Sequence, residues 1–160
     1  MSEIVRIEAS GRAFNIEYTF VGSDDPRAPL IVFLHEGLGS VAMWRDFPQT
    51  LCDALGARGL MYSRPGYGRS TPRAADERWG IDFMHVEARA VLPALLRALD
   101  VNAPPWLFGH SDGGSIALIY ASMFPNQVAG VIALAPHLFV EDISVISITK
   151  TREKIGRAHV

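Results

Sequence analysis

Residues 106–114 read Trp-Leu-Phe-Gly-His-Ser-Asp-Gly-Gly, and this stretch decides the fold. A short apolar run, Trp106 to Phe108, leads into G-x-S-x-G at Gly109 to Gly113, and a small, apolar segment from Gly114 to Phe124 follows. The reading is strand, sharp turn and helix, with Ser111 on the turn. Glycines on both sides of the serine let neighbouring backbone come close. A serine in that place sits at a helix N-terminus, where unpaired N–H groups and the helix dipole favour developing negative charge. The plain alternative is a helix-capping serine in a glycine-rich turn. The five-residue pattern is weak by itself, so the segments around it must decide.

Further apolar runs flank this stretch. Leu30–Leu34 (LIVFL), Gly59–Tyr62 (GLMY) and Val128–Ala135 (VAGVIALA) are nearly uninterrupted, as expected of strands covered on both faces in a parallel sheet. Ile4–Ala9 and Phe14–Val21 instead alternate apolar and polar residues around Gly11, the pattern of a hairpin with one wet face. Helical stretches lie between the strands, at Val41–Leu55, Ile81–Leu99 and Gly114–Phe124. In the second, Leu92, Leu95, Leu96 and Leu99 line one stripe, and Pro93 is expected to kink or restart the helix. Alternating strands and helices after an antiparallel start predict an α/β fold, a mostly parallel sheet flanked by helices. Asp24–Pro29 and Pro72–Arg78 read as surface loops.

Composition narrows the function. The 160 residues are 49% hydrophobic and 20% charged, with a net charge of −2. That is a globular balance without the basic excess that nucleic-acid binding requires. The single cysteine, Cys52, leaves no intramolecular disulfide and too few thiols for a structural zinc site; it reads as a small buried apolar residue. The start lacks the apolar core of a signal peptide, and no apolar run approaches the about 20 residues of a membrane span. A cytoplasmic protein with no membrane or nucleic-acid partner is expected.

Two more motifs end buried strands. His35-Glu36-Gly37-Leu38-Gly39-Ser40 follows Leu30–Leu34; a glycine-loosened loop there can aim a backbone N–H at a carbonyl held by Ser111. Ser63-Arg64-Pro65-Gly66-Tyr67-Gly68-Arg69-Ser70 follows Gly59–Tyr62, and its proline and glycines specify a rigid turn that scaffolds the site. Trp44 and Phe47 are expected to pack the first helix, His110 to pack beside the turn, and His85 to be a surface histidine.

These three motifs, in this order, resemble the α/β-hydrolase superfamily over about Ile4 to Glu153. The family pattern is H-G-x after the third strand, D-R-x-G-x-G-x-S after the fourth and G-x-S-x-G after the fifth. Here Glu36 intervenes between His35 and Gly37, and Ser63 stands where Asp is usual. The resemblance implies an acyl-enzyme on Ser111, with an oxyanion hole formed by the N–H groups of Gly37 (Glu36 second) and Asp112. It implies a small-molecule carbonyl substrate (an ester, thioester or lactone) and no metal or organic cofactor. A serine at this position differs from the Asp of haloalkane dehalogenases and epoxide hydrolases, and from the Cys of dienelactone hydrolases.

In that family the triad runs Ser, acid, His. After Ser111 only His137 and His159 remain, with acids Asp112, Glu141, Asp142 and Glu153. The resemblance therefore implies a fold truncated after the sixth strand, lacking the usual acid and histidine. Val128–Ala135 carries no charged gatekeeper, as a strand would that has lost a neighbour. Lys154–Val160 (KIGRAHV) is similar to one reading frame of a common sequencing adapter. Residues 1–153 are thus read as a partial α/β-hydrolase domain and 154–160 as a non-native tail. A rival is a short triad of Ser111, Glu141 or Asp142, and His159. His137, just past a strand end where open α/β sheets bind ligands, is a candidate substrate contact. The expectation is a serine hydrolase, inactive as this chain alone. A non-catalytic ligand-binding homologue is the alternative, and a perhydrolase or lyase on the same scaffold is not separated by these residues.

Overall fold

The computed structural model describes residues 1–74, 76–139 and 142–157. Strands β1 (Glu3–Ala9) and β2 (Arg12–Gly22) form the antiparallel hairpin, and β3 (Leu30–Leu34), β4 (Arg58–Tyr62), β5 (Trp106–His110) and β6 (Gly130–Leu134) run parallel. β2 joins them antiparallel to β4, giving the order β1-β2-β4-β3-β5-β6. β3 and β5 are therefore adjacent, and the loops at their C-terminal ends are brought side by side.

Helices cover both faces. α2 (Phe83–Val86), a π-turn at Glu87–Val91, α3 (Leu92–Ala98) and α4 (Asp112–Met123) bound the larger core. There Leu92, Leu95, Leu96, Ile116 and Tyr120 meet Val32, Leu60 and Leu107 of the strands. α1 (Phe47–Leu55) covers the other face, where Cys52 is fully buried against Phe33, Met61 and Phe108. Trp44 and Phe47 pack on Phe33 and Phe108 as expected, and His85 is exposed. His110, expected to pack, is exposed as well.

Two helical stretches are not continuous. Val41–Trp44 is a separate 3₁₀ turn, because Arg45 takes φ 53° and Pro48, which lacks an N–H, needs the first turn of α1. Pro93 acts similarly: the π-turn immediately before it absorbs the missing hydrogen bond, and α3 restarts around the proline. β6 lies at the sheet edge among the described residues, with Ile132 and Leu134 exposed on one face. Beyond it, α5 (Asp142–Arg157) exposes Ile143, Ile146 and Ile148. Among the described residues no helix is long and apolar enough to cross a membrane.

Candidate active site

Ser111 sits between β5 and α4 with φ 54° and ψ −118°. A non-glycine residue in that region costs about 1–3 kcal/mol and persists only where its surroundings enforce it. Its N–H donates to Leu134 C=O (2.8 Å), and its own carbonyl accepts from Ser115 N–H (3.1 Å). Gly109 and Gly113 are required by close approach. A Cβ on Gly109 would collide with the Gly113 carbonyl, and one on Gly113 with the Leu34 carbonyl at the end of β3. The first turn of α4 is thus pressed onto β3, and Gly37 comes within reach of Asp112: a Cβ on Gly37 would lie 3.1 Å from Asp112 Oδ2.

The Ser111 side chain makes no capping bond to α4. Its Oγ instead lies 2.9 Å from His137 Nε2. His137 is fixed at its backbone by one residue of α4: its N–H donates to Ser115 Oγ (2.8 Å), and the Ser115 hydroxyl donates to its carbonyl (3.0 Å). Among the described residues no carboxylate is hydrogen-bonded to the His137 ring. Neither the Gly37 nor the Asp112 N–H donates to a protein acceptor among the described residues, so both are free for an incoming oxygen. Of the short triad weighed from the sequence, Glu141 and His159 lie outside the described residues, and Asp142 opens α5.

Below the loops lies a buried polar layer. His35 is 1% exposed. Its Nε2 accepts the Arg64 backbone N–H (3.0 Å), which places the ring proton on Nδ1, and Nδ1 donates to the Glu36 carbonyl (2.7 Å). Burial, then the Arg64 charge, push its pKa down to about 3, so the ring is neutral. Arg64 Nη2 donates to the same Glu36 carbonyl (2.9 Å) and lies 3.4 Å from Asp112 Oδ2. Its Nε and Nη1 are buried without a protein partner.

Glu87, in the π-turn, accepts the Tyr62 hydroxyl (2.8 Å), and burial, only partly offset by Arg64, raises its pKa to about 7. A cavity of about 220 Å³ lies beside this pair, lined by Phe14, Arg64, Trp79, Phe83, Glu87 and Val91 but not by Ser111.

Ser63 stands where the resemblance expects Asp, yet a carboxylate is present at this turn. Glu17 reaches in from β2 and accepts the Ser63 hydroxyl (2.8 Å) and the Arg69 N–H (2.9 Å). Burial raises its pKa, but these bonds and the one from Ser2 outweigh it, and the net shift is downward. Sequence reading missed Glu17 and Glu87, whose neighbours spell a wet strand and a helix, and it placed Arg64 in a scaffolding turn without foreseeing its contacts.

A model of the family described as alpha/beta hydrolase fold matches residues 29–151. The chain belongs to this family. A 2-hydroxy-6-oxo-6-phenylhexa-2,4-dienoate hydrolase of Burkholderia cepacia is 28% identical over 116 residues, covering 71% of this chain and 38% of that protein. Among solved structures, one described as a probable hydrolytic enzyme from Pseudomonas aeruginosa PAO1 superposes with a TM-score of 0.72 at 25% identity, over 91% of this chain and 44% of the other. An N-acyl homoserine lactone degrading enzyme superposes with a TM-score of 0.63 at 26% identity, over 82% and 45%. The chain thus spans less than half the length of these relatives. In this chain Ser111 Oγ meets His137, and Gly37 lies beside the Asp112 carboxylate.

Proposed function

We propose that the protein carrying this chain is a serine hydrolase that cleaves a carboxylic ester, thioester, lactone or related small carbonyl compound through an acyl-enzyme on Ser111. The observation that carries the reading is the Ser111 hydroxyl itself. It is held in a strained turn, spent on no helix cap, 2.9 Å from an imidazole nitrogen, and beside two unoccupied backbone donors.

Ser111 Oγ attacks the carbonyl carbon, and the N–H groups of Gly37 and Asp112 receive the oxyanion. Each such donor is worth about 3–4 kcal/mol of transition-state stabilisation. His137 contacts the nucleophile hydroxyl in the free site and the substrate once it is bound. The reaction needs no metal or organic cofactor in this reading.

The usual acid and histidine of the triad are not supplied by the residues described. Alone, therefore, the 160-residue chain turns over on the order of 10⁶-fold more slowly than a complete site. A non-catalytic binding protein using the same cleft is the alternative.

A fluorophosphonate probe, which reacts only with an activated serine, separates these readings. It is applied to the full-length product of the gene, to its Ser111→Ala variant and to the 160-residue chain. Labelling of the full-length protein alone, lost in Ser111→Ala, is the expected result. Absence of labelling in a folded full-length protein favours the binding protein. Labelling of the short chain that disappears in His137→Ala would make Ser111 and His137 a self-sufficient pair.

A further inference from the structure

Arg64 is a buried charge near the site. Its side chain is 1% exposed, its ion pair with Asp112 is long at 3.4 Å, and two of its guanidinium nitrogens have no protein partner among the described residues, so part of its desolvation penalty is left uncompensated. The Tyr67 ring, 4.9 Å from its guanidinium carbon, and the nearby Glu87 offset that penalty in part. What the charge does is visible in its one bonded nitrogen, Nη2, which holds the Glu36 carbonyl and faces the Asp112 carboxylate.

The Glu36 carbonyl and the Gly37 N–H are opposite ends of a single planar trans peptide. Fixing the oxygen therefore fixes the direction of the N–H. Three donors grip this oxygen: Arg64 Nη2 at 2.9 Å, His35 Nδ1 at 2.7 Å and, within the loop itself, the Gly39 backbone N–H at 3.1 Å. The Arg64 backbone N–H closes the ring onto His35 Nε2. A cationic donor on the carbonyl also polarises the peptide and strengthens its N–H as a donor. The other oxyanion donor is the N–H of Asp112, whose carboxylate lies against the same guanidinium. One buried side chain, from the loop after β4, thus ties together the loop after β3, 28 residues before it, and the turn after β5, 48 residues after it.

We propose that Arg64 is the positioning residue of the oxyanion hole, setting the Gly37 and Asp112 N–H groups toward a common point. This deepens the reading of Ser111 as nucleophile and rests on it. Arg64 does not touch the substrate. Its removal should reduce transition-state stabilisation and leave ground-state binding nearly unchanged.

The test uses the full-length gene product with p-nitrophenyl acetate and the fluorophosphonate probe. Arg64→Met keeps much of the length and apolar stem without the fork. Arg64→Ala leaves room for added guanidinium ion, and Arg64→Lys keeps the charge with a single point donor. The expected result is a 10²–10³-fold fall in kcat and in labelling rate for Arg64→Met, with KM within threefold. Millimolar guanidinium should restore kcat of Arg64→Ala at least tenfold, and Arg64→Lys should fall between wild type and Arg64→Met.

A folded Arg64→Met or Arg64→Lys protein with kcat within threefold of wild type would overturn the proposal. If neither folds, Arg64→Ala decides, since a merely structural arginine gives no guanidinium-dependent gain in kcat over the folded fraction measured by circular dichroism. Equal labelling of Ser111→Ala and wild type would remove the nucleophile assignment and this inference with it. Loss of labelling in Ser111→Ala, with wild-type rates in the Arg64 variants, would remove this inference alone.

Discussion

Substituting His35 tests whether a neutral, buried imidazole holds the loop after β3. In the folded protein its pKa is about 3, against the usual 6.5 that the unfolded chain recovers. Below pH 6.5 the unfolded chain takes up a proton that the folded chain refuses until about pH 3. The unfolded state then binds more protons, so stability is fully present above pH 6.5 and falls as the solution is acidified. At about 1.4 kcal/mol per pKa unit, the loss is about 2 kcal/mol at pH 5, about 3 kcal/mol at pH 4, and on the order of 5 kcal/mol once the folded group titrates.

His35→Gln keeps one donor and one acceptor but cannot titrate. At pH 8 it should be less stable than wild type by about 1–2 kcal/mol, the cost of two misplaced hydrogen bonds. As pH falls the gap should close, and near pH 5 the variant should become the more stable of the two. Urea unfolding at pH 8, 6, 5 and 4, followed by the fluorescence of the three tryptophans, measures this directly. Carboxylates common to both proteins cancel in the difference. Parallel curves with a pH-independent gap would refute the reasoning, because they would mean that His35 titrates alike in the folded and unfolded chains.

Other expectations follow from the same layer and from the sheet. Glu87 has the opposite sign: with a folded pKa of about 7 it keeps its proton while the unfolded chain releases one above about 4.5, so stability declines between those values. Glu87→Gln should match wild type near pH 4.5 and exceed it by up to about 3 kcal/mol at pH 8, as read by urea unfolding at the two pH values. Gly113→Ala drives a methyl group into the Leu34 carbonyl and should cost more than about 3 kcal/mol or prevent folding; an unchanged melting temperature would contradict the packing of α4 on β3. Ile132→Lys, on the exposed face of β6, should lower light scattering at high concentration while changing stability by less than about 1 kcal/mol.

The strands and the turn at Ser111 were legible because their causes are local. A strand buried on both faces must be apolar at every position, and LIVFL shows it without reference to anything distant. VAGVIALA has the same pattern but forms β6 at the sheet edge among the described residues, with Ile132 and Leu134 exposed. Gly109 and Gly113 mark the close approach by having no side chain. The two helix interruptions were half legible: Pro48 and Pro93 are visible, but the compensating turns around Arg45 and Glu87–Val91 depend on how each helix sits against the sheet.

What the amino-acid sequence determined by itself is therefore the α/β layering, the position of the nucleophile candidate and the loop that faces it. Periodicity and glycine spacing are written into consecutive residues. The tertiary structure alone decided how polar groups far apart in the chain pair with one another. His137 meets Ser111 across 26 residues, Ser63 finds its carboxylate in Glu17 across 46, and Arg64 reaches Asp112 across 48. In sequence, the motifs place Ser111, Asp112 and Arg64 on their turns, but nothing along the chain says which distant group each will meet. Burial then makes an unsatisfied polar group costly, so the fold must bring each one a partner, and which partner it finds depends on strand order rather than on spacing along the chain.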